Sequence, residues 1–142
     1  MIANDPFDLQ RFVAAQANSI DAVRTELRQG RKLSHWIWYI FPQIHGLGSS
    51  SNARRFAIVS REEAVAYLAH PLLGARLREC VQLMLQIESR PLRQILGTPD
   101  DLKFRSSMTL FAHVAADKQL FLAALEKYCG SEPDPATLER LV

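Results

Sequence analysis

Residues able to bind or transform a small molecule are concentrated in two stretches of this chain. The first runs Ser34-His35-Trp36-Ile37-Trp38-Tyr39-Ile40-Phe41-Pro42-Gln43-Ile44-His45-Gly46-Leu47-Gly48-Ser49-Ser50 and holds both tryptophans and two of the four histidines. Large rings beside a Gly/Ser loop supply a rigid apolar wall and adaptable hydrogen-bonding groups, the composition of a small-molecule site. The second, Lys103-Phe104-Arg105-Ser106-Ser107-Met108-Thr109-Leu110-Phe111, repeats that mixture. On a helix successive residues advance by about 100°, so Arg105, Ser106, Thr109 and His113 share about a third of the circumference. An arginine, two hydroxyls and an imidazole on one stripe suit an anionic or polyhydroxylated ligand. The competing interpretation is a solvated helix face whose hydroxyls bond their own backbone.

Other residues narrow the chemistry. His35 and His45 carry rings that titrate near neutral pH and are candidate general acids or bases, but no nucleophile or orienting carboxylate stands beside either in sequence. HxH, HxxxH and HExxH are all absent, so no metal is expected. Gly46-Leu47-Gly48-Ser49-Ser50-Ser51-Asn52 lacks the GxxxxGK[ST] and GxGxxG patterns, so no familiar nucleotide motif or cofactor signature is present. Its backbone N–H groups can still form an anion nest if a helix begins at Ser51 or Asn52, with Arg54 and Arg55 in reach. Lys32 and Lys103 each precede one of the two stretches and can charge a shared pocket. Cys80 sits in an apolar stripe as a small core residue, and neither it nor Cys129 has the basic neighbours of a nucleophile.

Composition bounds the class. The 142 residues, 48% hydrophobic and 23% charged, suit one soluble globular domain spanning 1–142. Net charge is only +2, carried by 13 Arg and 4 Lys against 15 acidic residues, so a global field for nucleic acid or anionic membranes is not expected. Two cysteines make no disulfide framework, no targeting signal stands at the N-terminus, and no apolar run approaches the roughly 20 residues of a membrane span. A reducing cytoplasm is the expected setting. Oligomeric state is not encoded in any visible pattern.

The elements that must position these residues are helical. Asp5-Pro6 supplies an N-cap and a proline at the first helical position, and Asn18 or Ser19 can cap a second helix that stops at Gly30. Segment 35–41 has strand-like aromatic and β-branched content, yet Ser34 and Pro42 would also frame two turns of helix. Ser60-Arg61-Glu62-Glu63 is a capping box, with Glu63 expected to reach back to the Ser60 N–H. Leu73, Leu77, Cys80, Met84 and Ile87 mark one face of a long central helix. Thr98-Pro99-Asp100-Asp101 predicts a helix start with threonine as cap, carrying Phe104, Met108, Phe111 and Ala115 on its apolar face. A further helix ends at Gly130, and Asp134-Pro135 opens a short last one. The pattern is all-α, a multi-helix array.

Several stretches together resemble the domain-of-unknown-function 1810 family. They are Asp5-Pro6…Leu9-Gln10-Arg11-Phe12, Glu26-Leu27…Gly30…Lys32…Ser34-His35-Trp36-Ile37-Trp38, Phe41-Pro42-Gln43, Gly46-Leu47-Gly48-Ser49-Ser50, Glu63-Ala64…Tyr67-Leu68…His70-Pro71…Leu73-Gly74…Arg76-Leu77 and Lys103…Arg105-Ser106-Ser107-Met108-Thr109-Leu110-Phe111. That family is bacterial and its members often carry the label "calpastatin". The resemblance implies a mainly α-helical domain, which turns 35–41 toward helix, and implies no established activity, cofactor or substrate. The label says little, since a calpain inhibitor of that kind is a long disordered repeat protein. The Phe56…Ser60…Glu63-Ala64…Tyr67 region is also faintly similar to helical N-glycosidases acting on ADP-ribose linkages, which would make Glu63 catalytic.

The leading expectation is a pocket for a small anionic or nucleotide-like ligand, built from Lys32, His35, Trp36, Gln43, Gly46, Gly48, Ser50, Lys103, Arg105, Ser106 and Thr109. Whether it catalyses a reaction is left open by these residues, and no catalytic residue or cofactor is assigned. The alternative is a non-catalytic protein-interaction module using the aromatic segment as an anchor.

Overall fold

The computed structural model describes residues 4–141, which form ten helices. These are α1 (Gln10–Ala17), α2 (Ile20–Gln29), α3 (Ile37–Ile40), α4 (Ser51–Arg55), α5 (Arg61–Ala69), α6 (Leu73–Gln86), α7 (Leu92–Leu96), α8 (Asp100–Val114), α9 (Gln119–Cys129) and α10 (Pro135–Arg140). The fold is an all-α array, and the only pairing of extended backbone among the described residues is an isolated parallel bridge between Ile44 and Ile58.

The apolar spacing of α6 places Leu73, Leu77, Cys80 and Met84 in the interior, and α6 packs against α2, α5 and α9. The Phe104/Met108/Phe111 face of α8 is equally buried, lying against α5 and α9, with α7 and α10 on its flanks. Rings knit these helices together. Phe111 stacks between Tyr67 and Phe121 at centroid distances of 5.6 and 5.8 Å, and Phe41 meets Phe104 edge-on at 4.9 Å. Such tilted and T-shaped pairs are the arrangement that ring quadrupoles favour.

Helix ends follow local chemistry, with three departures from expectation. Gly30 ends α2 and Gly130 ends α9, both in the left-handed region that glycine enters without penalty. Asp5 caps α1 by accepting the Leu9 and Gln10 N–H groups at 2.8 and 3.0 Å, but the helix starts at Gln10 after a turn rather than at Pro6. Ser60 accepts the Glu63 N–H at 3.1 Å, whereas the Glu63 carboxylate passes the Ser60 N–H and accepts from Val59 at 2.9 Å. Its second oxygen is held by Arg11 at 2.7 Å, a longer-range demand that sets where it points. Finally, α8 begins at Asp100 with Pro99 at the N-cap position, so Thr98 stands one residue too early to cap it and its hydroxyl accepts from Arg93 Nε at 3.3 Å instead.

Segment 35–41 is helical only across the single turn Ile37–Ile40. Its surroundings fix the loop that follows. The Ile58 N–H donates to Gln43 and the His45 N–H donates to Ile58, both at 2.8 Å, so the Gly/Ser loop is pinned at its root. At its far end Ser50 accepts the Ala53 N–H at 3.1 Å and opens α4, so a helix does begin at Ser51, one of the two positions considered.

Candidate functional site

Glu26 organises the first of the two chemistry-bearing stretches. It is a buried carboxylate on α2, and it accepts the Leu33 N–H at 2.6 Å, the Ser34 N–H at 3.0 Å and the Trp36 indole N–H at 2.9 Å. The Ser34 hydroxyl donates to its other oxygen. Burial alone pushes the carboxyl up, but the Ser34 hydroxyl, the Leu33 and Ser34 amides and the indole together outweigh it and bring it down to about 2. The chain leaving α2 is thereby folded around one anion, and Trp36 is drawn inside to 1% exposure.

Asp100, in the first turn of α8, joins the two stretches. It accepts from Lys32 Nζ at 2.8 Å and from Lys103 Nζ at 3.5 Å. Each ammonium also faces a ring: Lys32 lies 5.2 Å from the Trp36 centroid and Lys103 lies 4.9 Å from that of Trp38. A cation over an indole face is attracted by the ring quadrupole.

Between the pinned loop and α8 lies a cleft of about 480 Å³, lined by Gln43, Leu47, Gly48, Ser49, Ser50, Ala53, Pro99, Leu102, Lys103, Ser106, Asp134 and Ala136. A narrow recess runs on from it under Trp38, Gly46 and Phe56, sharing Gln43, Gly48 and Ala53 with the cleft. Trp38 Nε1 is shielded from solvent there with no hydrogen-bond partner. Close approach of the chain explains one glycine: at Gly48 an added Cβ would meet the Ala53 Cβ at 2.8 Å.

Five of the expected site residues therefore come together, Gln43, Gly48, Ser50, Lys103 and Ser106, and Gly46 borders the recess. The others lie elsewhere. Trp36 is in the core on Glu26, and His35 is exposed but lines neither cavity. Lys32 lines a separate cleft beside α7. Arg105 donates to the Glu132 and Pro133 carbonyls at 2.9 and 2.8 Å, so its fork is occupied by the chain before α10. Thr109 is buried, donating to Arg105 O at 2.8 Å and accepting the Asp134 N–H at 2.9 Å. Glu63 is 1% exposed and bonded on both oxygens, a bracket between α1 and α5 rather than a group facing a cavity.

Two residues outside the expected set border these cavities, Trp38 on the recess and Asp134 on the cleft. Trp38 is left beside the recess because Glu26 draws Trp36 into the core. Asp134 has the appearance of a helix cap, yet one of its oxygens takes Ser106 at 2.8 Å and Thr137 at 2.5 Å while the residue forms a wall of the cleft. Among the described residues no group of three or more His, Cys, Asp or Glu side chains could hold a metal ion, and no helix is long and apolar enough to cross a membrane.

A family model described as a protein of unknown function, DUF1810, matches residues 6–141. The chain belongs to the DUF1810 family. This DUF1810 protein is 54% identical to the conserved hypothetical protein Rv1873 from Mycobacterium tuberculosis, whose crystal structure it resembles with a TM-score of 0.95. The likeness covers 96% of this chain and 98% of Rv1873. No curated protein matches it.

Proposed function

We propose that this DUF1810 protein binds a small anionic, nucleotide-like compound in the cleft between the Gln43–Ser50 loop and α8. The observation that supports this most is the meeting of Gln43, Gly48 and Ser50 with Lys103 and Ser106 around one cavity. Lys103 is held only at 3.5 Å by Asp100 and can turn to a phosphate oxygen. The Ser50 hydroxyl accepts from Ala53 and keeps its own proton to donate. Asp134 offers a carboxylate oxygen to sugar hydroxyls, and Trp38 gives the recess an aromatic wall with a donor to spare. The first reaction class to test is hydrolysis or transfer at an ADP-ribose-like substrate. Burial of Trp36 and Phe41 favours this reading over an exposed aromatic anchor for a protein partner. Two free thiols, Cys80 and Cys129, support a reducing, cytoplasmic setting.

Thermal-shift titration with nucleoside diphosphates and ADP-ribose tests the site, because a ligand of the folded state alone raises Tm. The expected result is a saturable rise that Lys103→Ala removes and His35→Ala preserves. A rise indifferent to Lys103→Ala places the ligand elsewhere and defeats the reading.

A further inference from the structure

A second concavity, of about 550 Å³, opens between the chain leaving α2 and α7. It is lined by Arg31, Lys32, Arg90, Arg93, Gln94 and Ile95–Gly97. We propose that it is a binding site for a small compound carrying adjacent phosphate groups, separate from the cleft on α8.

Charge is the first argument. Four cationic side chains line this cavity and no carboxylate does. Lys32 is balanced by Asp100 at 2.8 Å. Among the described residues Arg31, Arg90 and Arg93 form no ion pair. Three arginines without a carboxylate partner thus line one cavity of a protein whose net charge is only +2. Cations so gathered repel one another, and a multiply charged anion relieves that repulsion.

Geometry is the second. Arg90 is held across the cavity by donating to the Gly30 carbonyl at 2.8 Å, and Arg93 by its contact with Thr98 at 3.3 Å. Both acceptors are neutral, so each guanidinium is positioned without being neutralised and keeps N–H groups for a ligand. The walls are joined by the Lys32 N–H donating to Ile95 O at 2.7 Å, which fixes their separation. Planar forks match phosphate oxygens two at a time, and two held in place beside Arg31 around one hollow favour linked phosphates over a single one. The site is concave and local, which suits a small molecule rather than a nucleic-acid duplex.

Isothermal titration of the full chain with inorganic tripolyphosphate, pyrophosphate and orthophosphate at constant ionic strength tests the assignment. Saturable one-to-one binding is expected, tightening from orthophosphate to tripolyphosphate. The double variant Arg31→Ala/Arg93→Ala should weaken tripolyphosphate by about tenfold or more, whereas Lys103→Ala should change it little. Circular dichroism melting confirms that the double variant is folded, since Arg31 and Arg93 are exposed. Binding unchanged by the double variant overturns the proposal. So does equal response to sulfate and tripolyphosphate, or binding of a DNA duplex through these arginines without saturable tripolyphosphate binding. Nucleoside diphosphates also carry adjacent phosphates, so the effect of Lys103→Ala on the nucleotide shift is read in the Arg31→Ala/Arg93→Ala background, where this cavity contributes little, and each site can then fail without the other.

Discussion

Glu26 is worth its burial because four donors converge on it. Removing the charge while keeping the shape strands those donors: in Glu26→Gln the carboxamide NH2 faces N–H groups that need an acceptor. A cost of about 2–3 kcal/mol is expected, read as a lower Tm. The pH dependence follows from the lowered carboxyl. Its contribution is fully present above the ordinary value of 4.5 and is lost as pH falls through about 2. The Tm gap between wild type and Glu26→Gln should therefore narrow across that interval, and a gap independent of pH would show that charge is not what matters. None of this is visible at Glu26 in the sequence. A glutamate in the last turn of an amphipathic helix has the pattern of a surface residue, and only the reversal of the chain at Gly30 brings Leu33, Ser34 and Trp36 back to it. For the same reason Trp36 and Trp38, two residues apart, cannot be sorted into core and cleft from composition.

At the scale of elements, the hydroxyl stripe of α8 has a clear purpose. Thr109 holds the entrance to α10 by accepting the Asp134 N–H, and Ser106, while lining the cleft, donates to the Asp134 carboxylate. Arg105 secures the two residues before it. The stripe was legible because helical spacing is a local property. Its occupant was not, since a ligand and a returning chain segment offer the same carbonyls, carboxylates and amides. Thr109→Val keeps the volume and removes the acceptor. It should cost about 1–2 kcal/mol and speed amide hydrogen exchange over residues 134–140 well beyond any change in α6. Uniform acceleration across both helices would contradict a local docking role. Caps behaved similarly. Gly30, Gly130, Ser50 and Asp134 mark true helix boundaries because each acts within one turn, whereas Glu63 departed from its expected bond because Arg11, distant in sequence, competes for it.

For the whole molecule, α6 and α8 are the two helices against which most of the others pack. The apolar spacing of α6 announced it, and it packs against α2, α5 and α9. Leu77 is 1% exposed there, so Leu77→Ala should cost about 2–5 kcal/mol through lost burial and the remaining cavity. Helical circular dichroism and tryptophan fluorescence should then shift to the same lower midpoint. Separate midpoints would mean that the aromatic turn unfolds apart from α6. What could not be read at this scale is the distribution of charge. A net +2 describes the sum, but the fold sets three arginines against one hollow and places a carboxylate between two clefts.

That carboxylate, Asp100, is a counter-ion held in common. An anion settling beside Lys32 competes for the ammonium that Asp100 now holds, and the released carboxylate then binds Lys103 more firmly. The second ligand meets a less available cation. With both cavities filled as proposed, each occupant raises the dissociation constant of the other by the same factor, because such linkage is reciprocal. If both proposed sites are filled, one aspartate at a helix start would thus set them weakly against each other, by a factor small beside the loss expected of the double arginine variant.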